Sequence, residues 1–135
     1  MEKEVIKNKG EELVVVIRRG DFPEGLKFYT GEGKFVQVAT WNHPKGNRSI
    51  PHAHKEAERT ATKTQEVVYV KSGKLKAEIY DDEGNFIDST EMGEGDIAII
   101  FSGGHSFTTL TDNTQVLEVK NGPYLGEEKD KKVLE

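Results

Sequence analysis

Three of the four histidines in this chain, His52, His54 and His105, fall into a pattern with one carboxylate, Glu66. His52 and His54 are separated by a single residue. Residues two apart in an extended strand point to the same face, so both imidazoles can approach one ion. Glu66 heads the β-type run Glu66–Lys71, and His105 follows the Gly103-Gly104 break and begins a later run. Together they make a set of three imidazole nitrogens and one carboxylate for a divalent ion, with coordination positions left open. Taken singly, His52 and His54 also read as a surface loop after Pro51, and Glu66 as a solvated strand-end carboxylate. Val68 and Val70 share the Glu66 face, however, and a carboxylate pointing where apolar residues point needs a partner, which a metal ion supplies.

The residues around this set have plainer roles. Phe107 and Thr109 share a face with His105, so Phe107 is expected either to wall the pocket or to pack in the core, while Tyr69 faces away from Glu66. Arg48 and Arg59 flank the donors and read first as solvated charges. The sharper expectation concerns Arg59, which would bind a substrate carboxylate or phosphate bidentately, with Lys55–Arg59 as a lid. His43 reads as a loop residue and Trp41 as a packing residue.

The elements that must hold these residues are short β-type runs: Leu13–Ile17, Lys34–Thr40, Glu66–Lys71, Lys74–Tyr80, Phe86–Met92, Ile97–Phe101, His105–Leu110 and Thr114–Lys120. Asp81–Asn85 and Gly93–Asp96 read as turns. Evenly spaced short strands with Gly-rich turns predict an all-β sandwich or barrel. Glu56–Thr60 offers one helical turn at most, because Thr60, Thr62 and Thr64 favour extended backbone. The charged stretch 126–135 reads as a loosely ordered tail.

With 135 residues the chain fits one domain, 1–135. Its 34% hydrophobic and 32% charged residues predict a thin core under a charged surface. A net charge of −5 without a basic cluster argues against a nucleic-acid partner. The lack of cysteine excludes disulfides, zinc–thiolate sites and thiol nucleophiles. Met1–Glu4 lacks the apolar region of a signal peptide, and no apolar run is long enough to span a bilayer. The expectation is a soluble, cytoplasmic protein with no membrane partner.

The stretch Glu66-Val-Val-Tyr-Val-Lys-Ser-Gly73 resembles the second half of the first cupin motif, and His52-Ala53-His54 its first half. Gly95-Asp96 through His105 resembles the second motif, and Glu118–Tyr124 the tail of small single-domain cupins. The likeness covers roughly Pro51–Lys120, within a motif-bearing barrel of about 34–120. Eleven residues, Lys55–Gln65, separate His54 from Glu66, where a shorter gap is usual in that family. In the second motif Phe101 and Thr109 stand where Pro and Asn are usual, and His105 comes one residue early. A one-residue slip reverses facing in a strand, and the glycine pair can absorb it.

This resemblance implies a cupin-like double-stranded β-helix (jelly-roll barrel) holding one divalent metal ion, Fe, Mn, Ni or Zn, on His52, His54, Glu66 and His105. It implies a metal-dependent enzyme, an oxygenase or isomerase, acting on a small polar molecule. Two other readings stay open: a small-molecule binding or sensor module without catalysis, and a metal-independent sugar-nucleotide isomerase or epimerase. The last needs a His base and a Tyr acid that have no place here. A homodimer through sheet edges is expected, because Leu13–Ile17 has few polar residues to guard an edge.

Overall fold

The computed structural model describes residues 4–134. Met1–Lys3, on which the absence of a leader was partly read, and Glu135 at the end of the tail lie outside the described residues. The strands are β1 (Glu4–Asn8), β2 (Glu11–Ile17), β3 (Gly25–Phe28), β4 (Ala39–Asn42), β5 (Glu66–Ser72), β6 (Leu75–Tyr80), β7 (Phe86–Met92), β8 (Ile97–Ile100), β9 (Gly104–Thr109) and β10 (Gln115–Lys120). One short helix follows, α1 (Glu127–Asp130).

The fold is all-β, as the turn spacing predicts, but it is not a closed barrel. The described residues form three separate antiparallel sheets: β1-β2-β8-β5-β10, β7-β6-β9 and the hairpin β3-β4. Residues 43–64, all exposed, add no strand that would join the sheet edges.

Two core clusters explain the apolar runs. Val14, Val16, Val68, Val70, Ala98 and Ile100 of the five-stranded sheet pack against Leu75, Ala77, Ile79 and Met92 of the three-stranded sheet. On the other side, Val15, Ile17, Ile99 and Phe101 are covered by Tyr29, Val36 and Val38. Leu13–Ile17 reads as continuously apolar because both of its faces are buried. The strand is therefore interior, between β1 and β8, and the sheet edges are β1 and β10. The edge role expected of Leu13–Ile17 is corrected accordingly.

Other expectations also shift. The run expected over Lys34–Thr40 becomes a strand only from Ala39. Before it, side chains take over the backbone: Gln37 Nε2 donates to the carbonyls of Gly31 (3.0 Å) and Lys34 (2.7 Å), and Val36 N donates to Gln65 Oε1 (2.8 Å). Trp41 is not a packing residue; it is 70% exposed. No helical turn forms at Glu56–Thr60, whereas the tail does carry α1.

At one end of the two-sheet sandwich a buried carboxylate is well satisfied. Asp96 accepts from Arg19 N (2.9 Å), Gly93 N (2.9 Å) and Arg18 Nη1 (3.1 Å). Arg18 also donates to Glu4 through Nε (2.6 Å), to the Glu91 carbonyl (2.7 Å) and to Thr90 Oγ1 (3.0 Å). This clamp ties β1, β2, β7 and the turn before β8.

Candidate functional site

The opposite end is built differently. Glu66 opens β5, where it pairs with Lys120 at the end of β10 and with Ile100 on β8. His105 lies near the start of β9 and pairs with Ile79 on β6. The strand period turns Glu66 inward with Val68 and Val70, as its sequence position predicts, and leaves Tyr69 on the other face. Across the gap between the sheets, His105 Nε2 stands 3.6 Å from Glu66 Oε2.

Gly103 sets this geometry. Its φ is +82°, and a Cβ there would come within 2.5 Å of the Tyr80 carbonyl oxygen, so only glycine makes the break. The chain then enters β9 with His105 directed at Glu66 and its side chain still 29% exposed. Phe107 packs against the inter-sheet core and lies beside His105, with ring centroids 4.9 Å apart. Of its two expected roles, core packing is the one these contacts show.

The Glu66–His105 contact has the reach of an ion pair but not the chemistry of one. Glu66 is only 7% exposed. Burial, reinforced by the negative charge of Glu118 and opposed by Lys120, pushes its carboxyl up to about 7. Burial pushes the His105 imidazole down from its ordinary value, so the ring is neutral at pH 7. The separation is too long for a hydrogen bond. Two donors so spaced can both reach one divalent ion at about 2.1 Å, and a neutral imidazole with a carboxylate suits such an ion.

The other two expected ligands are not brought to this pair. His52 and His54 lie on the exposed segment 43–64, their ring centroids 5.3 Å apart. His52 Nδ1 donates to the Ile50 carbonyl at 2.8 Å, which leaves Nε2 as the nitrogen with a free lone pair. Among the described residues, no group of three or more His, Cys, Asp or Glu side chains could hold a metal ion. The physical reason lies in Lys55–Gln65, where no apolar stripe pins the chain against either sheet and only Gln65 is buried.

Arg59 is on the same segment. It lines a cleft of about 370 Å³ with Glu32, Gly33, Lys34, Phe35 and Gln37, and neither Glu66 nor His105 borders that cleft. His43 sits in an exposed loop, as expected.

Sequence reasoning missed the groups that surround Glu66. Lys120 Nζ lies 3.7 Å from Glu118 and 3.4 Å from Asp130. The β10 alternation carried a usable signal: Val116, Glu118 and Lys120 share the inward face, which places two charges opposite β5. The approach of Asp130 from the tail had no local signal.

No family model matches the chain, and no curated protein or solved structure matches it either. No helix among the described residues is long and apolar enough to cross a membrane.

Proposed function

We propose that this chain is a small cupin-type protein that binds one divalent metal ion at the Glu66–His105 end of its sandwich and acts on a small polar molecule there, as an oxygenase or isomerase. The observation that carries this reading is the convergence of a buried carboxylate and an imidazole from two different sheets, 3.6 Å apart. An isolated buried carboxylate is unfavourable, and a divalent ion relieves that cost.

In this reading Glu66 and His105 form the fixed half of the donor set, held by β5 and β9. His52 and His54 form the mobile half, carried to the mouth by the 43–64 segment, which is not packed on either sheet. A bound ion would supply Lewis acidity and open positions for substrate oxygens. Phe107 keeps water from one side of His105, and Lys120 brings a positive charge that favours an anionic or strongly polar substrate.

Elemental analysis of the purified protein tests the proposal. About one divalent ion per chain is expected, lost in Glu66→Gln and in His105→Ala and weakened in a His52→Ala/His54→Ala double variant. A metal-free protein that takes up no Fe, Mn, Ni or Zn on dialysis would end this reading. The expected homodimer moves to β10, an edge strand whose Leu117 is 57% exposed, and light scattering on the eluting protein tests it.

A further inference from the structure

The sandwich is open along one side. There β9 and β10, joined by the turn 110–114, are the end strands of their two sheets. His105, Ser106, Thr108 and Thr109 of β9 are exposed, as are Gln115–Val119 of β10. An uncovered edge strand accepts another strand along its unpaired backbone groups.

The segment 43–64 is the matching feature. All of its residues are exposed, Ile50 to 83%. Its ends are tied to the chain's own body: Asn42 Nδ2 donates to the Phe22 carbonyl (3.0 Å), and Gln65 N donates to Asn121 Oδ1 (2.8 Å). Between these ties Arg59 borders the cleft at Glu32–Gln37. Val36 and Val38 of that layer pack on the face of the five-stranded sheet opposite to Val68 and Val70, whose face Glu66 shares. The segment therefore runs on the side of the sheet away from its own Glu66–His105 gap. His52 is ten residues beyond Asn42, an extended reach of about 30 Å, which is enough to arrive at another molecule.

Charge and apolar surface point to a second copy as the occupant of the open side. The segment holds five Lys or Arg and two Glu, a net +3 in a chain of net −5, so the remainder stands at −8. Arm and body of like chains thus attract each other. Two apolar faces also lie bare. Leu26, Phe28 and Trp41 share one face of the β3–β4 hairpin at the root of the arm. Tyr69, Leu117 and Val119 share the outer face of β5–β10 beside the open side. An isologous pair that exchanges arms brings each hairpin to the partner's β5–β10 face.

We propose that two copies exchange their 43–64 segments, the His52–His54 stretch of one adding as a strand to the β9 edge of the other. Residues two apart share a face, so His52 and His54 then point into the gap with His105, while Ala53 and Ser106 point outward. The inference rests on the proposed function for its chemistry: the ion is held by Glu66 and His105 of one copy and by His52 and His54 of the other.

The chain has no cysteine, so an Ala53→Cys/Ser106→Cys variant of the full-length, metal-free protein can be linked by a short bismaleimide without background. A covalent dimer is expected on a denaturing gel, at least about tenfold more abundant than from either single variant, because paired chains hold the thiols at a high effective concentration. A link within one chain, two singly capped cysteines, or single variants that dimerise as readily would overturn the exchange. A second arm uses metal content. His52→Ala/His54→Ala chains refolded together with Glu66→Gln/His105→Ala chains should hold about one ion tightly per four chains, since half of randomly formed pairs contain one complete site. A mixture that binds no better than its two parents would overturn the shared site. A linked dimer in a protein that takes up no metal would sink the proposed function and leave the exchange standing.

Discussion

The two ends of the sandwich pose the same problem, a buried acid, and solve it in opposite ways. At one end Asp96 is surrounded by three donors, and its partner Arg18 is itself held by Glu4, Thr90 and the Glu91 carbonyl. At the other, Glu66 faces a neutral imidazole and feels the negative charge of Glu118. The first arrangement is what a fold needs in order to hold its strands together. The second leaves a desolvated carboxyl with a raised pKa, a perturbed group of the kind that makes this end the candidate site.

The contrast predicts opposite signs for removing the two acids. Asp96→Ala should destabilise the protein by about 3 kcal/mol in urea unfolding, because it strips three hydrogen bonds and leaves the amides of Arg19 and Gly93 without their acceptor. Glu66→Gln should stabilise the metal-stripped protein. The carboxyl of Glu66 titrates near 7 when folded against an ordinary value of 4.5, so the folded chain binds more protons than the unfolded one between those values. Stability is then full below about 4.5 and falls as pH rises through 7. The variant lacks this loss, so its advantage should grow across that window and level off above it at about 3 kcal/mol. An Asp96→Ala protein as stable as wild type, or a Glu66→Gln advantage that does not vary with pH, would erase the distinction between the ends.

Smaller effects sharpen it. Gly103→Ala should cost about 2 kcal/mol, since its φ of +82° and the Tyr80 carbonyl both oppose a side chain. It should also lower metal uptake, because His105 moves with the break; the same unfolding and elemental measurements read both. Arg59→Ala should change stability by less than about 0.5 kcal/mol, because the residue is exposed. A weaker affinity of this variant for an anionic ligand would tie the cleft at Lys34 to the chemistry.

Much of the architecture was legible in local patterns. Alternation placed Glu66 with Val68 and Val70 and set Tyr69 apart, and Asp81–Asn85 turned where its residues predict, with Asp81 accepting from the amides of Glu83 and Asn85. The glycine pair before His105 was recognisable as the place where a facing error could be absorbed. Expectations failed where side chains compete with the ladder, as at Gln37, or where an apolar residue stays exposed, as at Trp41. The role of Leu13–Ile17 was misread because continuous burial on two faces and an unguarded edge look alike in one dimension.

By itself, the sequence determined the all-β character, the turns and the inward face of each long strand, and it offered His52, His54, Glu66 and His105 as candidate ligands. These follow from short-range periodicity and from backbone conformations that only certain residues adopt. The tertiary structure alone decided which donors meet. Glu66 and His105 converge because their sheets pack face to face, His52 and His54 stay apart because nothing apolar anchors their segment, and the tail reaches the mouth through contacts with distant residues. Such encounters depend on packing between elements far apart in the chain, which local pattern does not encode.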